Sequence, residues 1–333
     1  MSIFVPVHFF VIMAEYPITR QDILESHQRI EKYIHRTPVH TSDTLNKFSG
    51  GELYFKCENF QKVGAFKARG ALNAVLSLSE EEREKGVATH SSGNHAQALA
   101  YAAGILHVPA WIVMPSTAPM VKKNAVRDYG GKIIECKPTL ADREETLRKV
   151  VDETGAAFVH PYDDPRVITG QSTAARELLA QVEALDAIVT PVGGGGLLSG
   201  TILAAHYFSP GTKIYAGEPL GADDAWQSLR AGKIIPSIRP TTIADGLLTS
   251  LGQLNYDIIR QGVEEIITVT EEQILEATRW LWERMKLVVE PSGAVPLAAV
   301  LKRQDLFRGQ RVGIILSGGN VSLDTYFGVT STW

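Results

Sequence analysis

Short apolar runs alternate with helical patterns along this 333-residue chain, and no other feature constrains its fold as strongly. The runs have the length and the β-branched content of buried strands. They are ELYFKCE, GVATHS, AWIVMP, KIIEC, DAIVTPV, KIYAGE and RVGIILS. Segments with helical spacing, such as ADREETLRKVVDET and GQSTAARELLAQV, lie between most of them. Apolar strands that are joined through helices run parallel and are buried on both faces, so the alternation predicts an α/β fold.

Composition narrows the class of protein further. The length allows two ordinary domains with a sizeable core, although no Pro- or Ser-rich linker marks a boundary between them. The net charge of -4 gives no electrostatic reason to expect nucleic acid or an anionic membrane as partner. Cys57 and Cys136 lie far apart without ligand-like spacing, so neither a disulfide framework nor a cysteine zinc site is expected. We therefore expect a reducing compartment, the cytoplasm.

The first thirteen residues, MSIFVPVHFFVIM, are apolar without the other marks of a signal peptide. No Lys or Arg occurs before Arg20, so the positive segment that such a peptide needs is missing. The stretch is also too short to cross a bilayer as a helix. We interpret residues 1–13 as an N-terminal extension.

A run of four glycines, Gly193, Gly194, Gly195 and Gly196, directly follows the strand pattern DAIVTPV and precedes the helical pattern LLSGTILAAHYF. This order is typical of a phosphate cradle, because glycine lets the backbone approach an anion and free N–H groups at a helix start point toward it. A tight turn without a ligand is the simpler alternative. A dinucleotide site would show G-x-G-x-x-G and an acid about 20 residues further on. The glycine spacing does not match that pattern, but Glu218 lies where the acid would be, so a nicotinamide enzyme stays open here.

Lys67 stands out among the lysines because of its surroundings. It lies between Gly64 and Gly70, next to Phe66, where a helical pattern begins. A helix N-terminus is positive, and positive potential and desolvation both favour the neutral amine, which alone attacks an aldehyde. The alternative is an ordinary solvated lysine.

The segment HSSGNHAQ follows the strand pattern GVAT and opens another helix. Ser91, Ser92, Gly93 and Asn94 provide hydroxyls, an amide and free backbone N–H groups. Such a helix start suits a carboxylate. A plain Ser/Asn helix cap is the common alternative, and His95 alone would be weak support for a site.

The chain resembles the fold-type II pyridoxal-phosphate enzymes, in particular serine racemase and the short serine/threonine dehydratases. Four segments carry the resemblance in the same order and spacing: GAFKARGA, SSGNHAQ, PVGGGGLLSG and ILSGGN. ERMKLVVEPSGA and TIADGL extend it, so that it covers the chain from about Ile18 to Asn320. The resemblance implies two lobes, each with a mostly parallel sheet flanked by helices. It places residues 14–77 and 164–333 in a large cofactor-binding domain and residues 78–163 in a small domain, and it implies a homodimer.

The resemblance also implies roles for individual residues. Pyridoxal 5′-phosphate would be joined to Lys67 as a Schiff base, with its phosphate on Gly193–Gly196. The remaining cofactor residues implied by the family pattern are Phe66 on the ring face, Asn94 at the ring hydroxyl, Ser317 at the pyridine nitrogen, and Gly246 and Glu290 as further lining. The substrate carboxylate would lie among Ser91, Ser92, Asn94 and His95.

The implied reaction is β-elimination from a small hydroxy amino acid. Lys67 would remove the α-proton of L-serine or L-threonine, and loss of the β-hydroxyl would lead to a 2-oxo acid and ammonia. Ser92 matches the serine of racemising relatives, whereas several dehydratases have Ala there, so the chain is expected to be racemase-competent. Arg143 matches an arginine that can reach a second carboxylate in the racemase-type relatives, which makes 3-hydroxyaspartate the alternative substrate. Its other interpretation is a surface residue that pairs with a nearby Glu.

A divalent cation is the second expected cofactor. Glu218, Ala222 and Asp224 match positions that bind such a cation in the racemase-type relatives, and all-oxygen ligation suits Mg²⁺ or Ca²⁺, with Mn²⁺ as a further option. Otherwise Asp224 would cap a helix and Glu218 would only end a strand. The chain departs from the family pattern at Ser172, where many relatives have Gly, and at Tyr162, where racemases often have Asn. A β-replacement enzyme and a non-enzymatic nucleotide-binding scaffold remain as other hypotheses.

Overall fold

The computed structural model describes residues 16–321, so the N-terminal extension predicted at residues 1–13 lies outside the described residues. The described chain forms two sheets. The small sheet has four parallel strands in the order β5-β4-β3-β6. They are β3 (Val87–His90), β4 (Ala110–Pro115), β5 (Lys132–Cys136) and β6 (Ala157–Phe158).

The large sheet has six strands in the order β1-β2-β10-β7-β8-β9. They are β1 (Val39–Thr41), β2 (Glu52–Cys57), β7 (Ala187–Pro191), β8 (Lys213–Pro219), β9 (Glu265–Val269) and β10 (Arg311–Leu316). Strands β2, β10, β7, β8 and β9 are parallel, and β1 pairs antiparallel with β2. The carboxyl ends of the parallel strands therefore meet at one edge, which is where ligands bind in open α/β sheets.

Helices cover both sheets. They are α1 (Arg20–Ile30), α2 (Asp43–Ser49), α3 (Lys67–Leu76), α4 (Glu80–Lys85), α5 (Asn94–Ile105), α6 (Met120–Asp128), α7 (Leu140–Thr154), α8 (Pro165–Gln181), α9 (Gly196–Phe208), α10 (Asp224–Ala231), α11 (Gln253–Gly262), α12 (Glu271–Met285), α13 (Pro291–Lys302) and α14 (Gln304–Phe307). Local sequence explains several of the boundaries. Thr19 and Asp22 form a capping box at α1, and Thr270 with Gln273 forms another at α12.

Burial follows from the sheet architecture. The strands of the large sheet and the helices α9 and α13 that pack on them are almost wholly buried. Both cysteines are free and buried, and burial raises the pKa of the Cys57 thiol to about 12. No helix among residues 16–321 is long and apolar enough to cross a membrane.

The α/β fold predicted from the sequence is confirmed, and all the predicted apolar runs are strands, namely β2, β3, β4, β5, β7, β8 and β10. The sequence did not reveal β1, β6 and β9. Strands β1 and β6 are only three and two residues long and carry too few residues for a periodic signal. The two sheets are formed by residues 87–158 and by residues 39–57 with 187–316, while the exact domain boundaries stay a prediction.

Candidate active site

Lys67 is the first residue of α3 and is partly buried. The amine donates a hydrogen bond to the carbonyl of Pro161 at 2.7 Å and lies 5.1 Å from the ring centre of Phe66. It has no carboxylate partner within the described chain. Desolvation by the surrounding protein lowers its pKa to about 8, so the neutral amine is far more populated near neutral pH than that of an exposed lysine.

The four glycines form a buried turn between β7 and α9. Gly195 has φ +97 and lies at the N-cap of α9, and Gly196 is the first residue of that helix. A Cβ atom at Gly194 would come within 2.4 Å of the Tyr162 ring, and one at Gly195 within 2.7 Å of Asn255 Cβ. Only glycine therefore fits here, and the free N–H groups of a 13-residue helix point out of the turn.

Residues 161 and 162 connect the lysine to the glycine turn. The Pro161 carbonyl accepts the hydrogen bond of Lys67, and the Tyr162 ring lies directly on Gly194. The carbonyl of Tyr162 in turn accepts a hydrogen bond of 2.9 Å from the side chain of Asn255. The amine and the glycine turn therefore both contact residues 161–162, and we call the region between them the cleft.

The loop after β3 opens into the same cleft. Asn94 begins α5, Gly93 is its N-cap, and the side chains of Ser91 and Ser92 are partly exposed. The Ser91 hydroxyl accepts a hydrogen bond from the Gly93 N–H at 3.3 Å. Within residues 16–321 the Ser92 hydroxyl makes no hydrogen bond, which leaves it free for a bound molecule.

His95 lies beneath this helix start rather than in the cleft. Its side chain is buried, and Nε2 faces the carbonyl of Val159 at 3.3 Å. Burial lowers the pKa of His95 well below its ordinary value, and the nearby charge of Lys67 lowers it further. The ring is therefore neutral and cannot form an ion pair with a carboxylate. A hydrogen bond from His95 to the substrate carboxylate stays a prediction.

Asn94, Glu290 and Asn320 form a chain of hydrogen bonds at the cofactor side of the cleft. Asn94 Nδ2 donates to Glu290 Oε1 at 2.9 Å, and Asn320 Nδ2 donates to Asn94 Oδ1 at 2.9 Å. Burial raises the pKa of Glu290 to about 8. Ser317 is buried at the end of β10, and its carbonyl accepts from the N–H of Phe66 at 3.0 Å.

Gly246 lies beside the glycine turn. A Cβ atom at Gly193 would come within 3.0 Å of Leu247 Cα and 3.4 Å of the Gly246 carbonyl oxygen. The Gly246 N–H donates to the Ser292 hydroxyl at 3.0 Å. The predicted cofactor residues of the large sheet and of the neighbouring loops therefore converge at the carboxyl edge of β7 and β10.

Arg143 lies in the first turn of α7, close enough to His90 and Cys136 to affect the pKa of both. These two residues end β3 and β5, so Arg143 lies at the edge of the small sheet from which the Ser91–Asn94 loop departs. Its Nε is buried and has no hydrogen-bond partner, and no ion pair of its guanidinium occurs within the described chain. Arg143 therefore has no carboxylate partner among the described residues, and its predicted place in the substrate site stays a prediction.

The predicted metal residues lie at the end of β8 and the start of α10. Glu218 is buried and accepts hydrogen bonds from the N–H groups of Ala225 at 2.8 Å and Trp226 at 2.9 Å. It therefore caps α10, whereas Asp224 is the first residue of that helix and does not cap it. Desolvation raises the pKa of Glu218 well above its ordinary value and that of Asp224 to about 6.

Two buried carboxylates without a cationic partner are a donor set that a hard divalent cation fits. Asp224 Oδ2 is buried and makes no hydrogen bond of normal geometry within the described chain, although the Ser237 hydroxyl is near enough to lower the pKa of Asp224. The described residues nevertheless contain no group of three or more His, Cys, Asp or Glu arranged for a metal ion. Ala222, which is buried, could add only its backbone carbonyl.

Three residues that the sequence did not single out as site residues complete the cleft. Pro161 and Tyr162 lie between the lysine and the glycine turn, and Asn320 holds Asn94. Asn320 is the last residue of the ILSGGN segment, and that segment could have indicated it as a site residue. Nothing local marks the carbonyl of Pro161, because its role arises from a contact across 94 residues.

The residues present fit pyridoxal phosphate. The amine that would hold the aldehyde is partly neutral, a turn that only glycine can form leads into a helix N-terminus, and the Ser317 hydroxyl makes no hydrogen bond within residues 16–321. An amine, an anion cradle and a ring partner are the three groups that this cofactor requires. Glu218 was the candidate for the ribose-binding acid of a dinucleotide site. Its carboxylate instead accepts hydrogen bonds at the N-terminus of α10, which argues against that type of site.

Comparison with known proteins agrees with this fit. The family model described as pyridoxal-phosphate dependent enzyme matches residues 30–318. The β-hydroxyaspartate dehydratase of Paracoccus denitrificans is 53% identical over 306 residues, which are 92% of this chain and 97% of that protein. The serine racemase of Dictyostelium discoideum is 52% identical over 312 residues, covering 92% of this chain and 96% of the relative.

A solved structure of similar sequence has the same fold. The threonine deaminase of T.th. is 47% identical, with a TM-score of 0.87 over 91% of this chain and 99% of the other. The matched family segment spans both sheets and all the predicted cofactor residues. The chain therefore belongs to the family of pyridoxal-phosphate dependent enzymes.

Proposed function

We propose that this chain is an ammonia-lyase that converts L-serine and L-threonine into the 2-oxo acid and ammonia, and that it is competent for serine racemisation. One observation carries the proposal: the Lys67 amine lies in a cleft without a carboxylate partner in the described chain, next to a glycine turn that suits a phosphate. Relatives named serine racemase and threonine deaminase support the substrate class.

Lys67 is the base in this proposal. When bound, pyridoxal phosphate withdraws electrons from the substrate and makes its Cα–H acidic. An amine whose pKa is about 8 accepts that proton near neutral pH and remains able to release it. The electron pair of the broken Cα–H bond forms the new Cα=Cβ double bond, and the β-hydroxyl leaves as water, taking the electron pair of the broken Cβ–O bond and a proton. Hydrolysis of the resulting unsaturated amine, through its imine, then gives the 2-oxo acid and ammonia.

The helix start at Asn94 is the proposed carboxylate site. Ser91, Ser92 and Asn94 place two hydroxyls and an amide around the first free N–H groups of a 12-residue helix, where a carboxylate is favoured. Ser92 is also the proposed second acid. A hydroxyl that delivers a proton to the face opposite Lys67 would yield the other enantiomer, which is how racemisation would occur.

The second candidate is ammonia elimination from 3-hydroxyaspartate, which would give oxaloacetate. The specific observation in its favour is Arg143, whose guanidinium has no ion pair within the described chain and lies beside the Ser91–Asn94 loop. An unpaired arginine suits a second carboxylate because it can bind it with two hydrogen bonds. Relatives named β-hydroxyaspartate dehydratase and L-threo-3-hydroxyaspartate ammonia-lyase support this candidate.

A divalent cation, Mg²⁺ in the first place, is proposed at Glu218, Ala222 and Asp224. The support is the pair of buried carboxylates and the resemblance of the positions to a family cation site. Because Glu218 also caps α10, cation binding would stabilise the start of that helix. We further propose a cytoplasmic homodimer, with the two free thiols as support for a reducing compartment.

The test is release of 2-oxo acid from a panel of L-serine, L-threonine, D-serine and 3-hydroxyaspartate, with Mg²⁺ or with EDTA. Pyruvate and 2-oxobutyrate from the first two substrates are expected, together with interconversion of L- and D-serine that the Ser92→Ala variant loses. Lys67→Ala should abolish both the reaction and the visible absorbance of the bound cofactor. Oxaloacetate formation far above pyruvate formation would select the second candidate, and O-acetylserine with sulfide reacting faster than elimination would overturn both.

A further inference from the structure

The segment after β10 packs against the loop that carries Lys67. The Phe66 N–H donates to the Ser317 carbonyl at 3.0 Å, and the Gly319 N–H donates to the Gly64 carbonyl at 2.9 Å. Ala65 and Gly318 form a bridge between these contacts. Asn320, near the end of the described chain, is thereby held beside the cofactor lysine.

The side chain of Asn320 can adopt only one orientation. Its Nδ2 donates to the Val63 carbonyl at 2.7 Å and to Asn94 Oδ1 at 2.9 Å. A backbone carbonyl only accepts hydrogen bonds, so a 180° rotation of the amide would place Oδ1 against the oxygen of Val63. The Val63 carbonyl therefore determines which end of Asn320 faces Asn94.

That orientation determines the orientation of Asn94. Because Asn320 presents N–H groups, Asn94 must present Oδ1 to it, and Nδ2 then donates to Glu290 Oε1 at 2.9 Å. An amide nitrogen carries two hydrogens. One is used on Glu290, and the other remains for a bound molecule in the cleft.

Glu290 alone could not hold Asn94 in this way. Its carboxyl group has a pKa raised to about 8 by burial, so it carries a proton near neutral pH and can either donate or accept. It would therefore tolerate both orientations of the Asn94 amide. Its own position is held by the backbone N–H of Asn320, which donates to the carboxyl group.

We propose that Asn320 is a positioning residue that turns the N–H end of Asn94 toward the ring oxygen of the cofactor. The Val63 carbonyl fixes the orientation of the Asn320 amide, and the Asn320 amide in turn fixes that of Asn94. Without it, the Asn94 carbonyl oxygen would face the ring oxygen in part of the molecules and repel it. The inference rests on the proposed function, because it requires the cofactor to be held at Lys67.

The experiment compares the cofactor spectrum of the holoenzyme with that of Asn320→Asp, which is isosteric but cannot donate from its side chain. We expect a changed absorbance maximum or a shifted pH midpoint of that absorbance. Titration of the apoprotein with pyridoxal phosphate should give a Kd about tenfold higher, which corresponds to about 1.4 kcal/mol. Should Asn320→Asp not fold, Asn320→Ala, which introduces no charge, serves in its place with the same expected direction.

Asn59→Asp is the matched control. Asn59 also donates from its side chain to a carbonyl, that of Val288 at 3.2 Å, and packs against Gly319 of the same segment, but it does not contact Asn94. Its spectrum and cofactor Kd should equal those of the parent protein. A general loosening of the segment would affect both variants.

A double mutant tests whether the spectral effect of replacing Asn320 depends on Asn94. In the Asn94→Ala background, replacement of Asn320 should produce no further spectral change. A change of the same size in that background, or no change in the parent background, would overturn the inference. If the parent protein itself shows no cofactor absorbance that depends on Lys67, the proposed function fails instead, so the two failures are distinguishable.

Discussion

Burial shifts the pKa values of two residues in the cleft. Desolvation lowers the pKa of the Lys67 amine to about 8 and raises the pKa of the Glu290 carboxyl group to about 8, because it favours the neutral form of each. Groups with shifted pKa values cluster at functional sites. In the proposed function, the first shift provides a base near neutral pH, and the second keeps a carboxyl group uncharged beside the proposed cofactor position.

Glu290 should make the apoprotein lose stability as the pH rises. Its pKa is raised on folding, from 4.5 to about 8, so the folded state binds the proton more tightly than the unfolded state. This contribution is fully present below pH 4.5 and is lost as the pH rises toward 8, with a slope of at most about 1.4 kcal/mol per pH unit.

The measurement compares thermal unfolding of the parent apoprotein and of Glu290→Gln from mildly acidic pH up to the folded-state pKa of about 8. The amide does not titrate, and the other groups are common to both proteins, so their contributions cancel in the difference. We expect the stability of the variant relative to the parent to increase with pH. A difference that stays constant over this range would show that Glu290 is ionised in the folded protein.

Gly194 should tolerate no side chain. In Gly194→Ala the new Cβ would meet the Tyr162 ring at 2.4 Å, so the ring or the turn must move, at a cost of about 1–3 kcal/mol. We expect at least about tenfold weaker cofactor binding, measured by titration of the apoprotein. Gly211→Ala is the control, because a Cβ there would meet no atom within 4 Å. Equal cofactor affinity in both variants would contradict the assignment of the turn as the phosphate cradle.

At the level of elements, α3 is anchored by a buried charge network. Arg69, two residues after Lys67, is fully buried and binds Glu58 at 2.7 Å and Glu177 at 2.8 Å. Lys56, which is also fully buried, binds Glu177 at 2.7 Å. The network joins β2, α3 and α8, and it fixes the start of the helix from which Lys67, the proposed cofactor lysine, projects.

Removal of Arg69 should therefore be severely destabilising. Arg69→Met leaves two buried carboxylates with one cation, and breaking a buried ion pair in this way costs about 3–5 kcal/mol. Arg279→Met is the matched control, because Arg279 forms an exposed ion pair with Glu283 on α12, which contributes about 0.5 kcal/mol or less. Denaturant unfolding measures both. A loss for Arg69→Met as small as for the control would show that the network does not anchor α3.

At the level of the whole molecule, an ion pair connects the layer of the small sheet with that of the large sheet. Lys122 on α6, which packs with the small sheet, binds Asp245 of the loop next to Gly246 at 2.5 Å. The pair is partly exposed, so it contributes little to stability. Asp245 precedes Gly246, which lies beside the glycine turn, so the pair joins the two layers close to the proposed cofactor site.

Lys122→Met should therefore raise the KM for substrate several-fold and lower the thermal midpoint only slightly. The control is Lys149→Met, whose lysine pairs with Glu145 on the same helix, away from the other sheet. Steady-state kinetics and thermal unfolding give the two readouts. A loss of stability without a change in KM would mean that the pair is purely structural.

Local sequence was sufficient to predict the structural features that lie within a few residues. Lys67, the Ser91–Asn94 helix start and the glycine run each combine residue type, strand pattern and helix start in one segment, and the apolar runs predicted seven strands of the α/β fold correctly. These features depend on local backbone preferences and on burial of whole strands, which the residue order itself determines.

Contacts between distant segments could be decided only by the tertiary structure. The Lys67 amine meets a carbonyl 94 residues away, and Asn94 meets partners 196 and 226 residues away. The unpartnered, buried guanidinium Nε of Arg143 in the described chain and the cap that Glu218 forms on α10 likewise result from packing between segments. Hydrogen-bond direction, desolvation and ion pairing depend on which segments the strand order β2-β10-β7-β8 brings together, and no local pattern encodes that order.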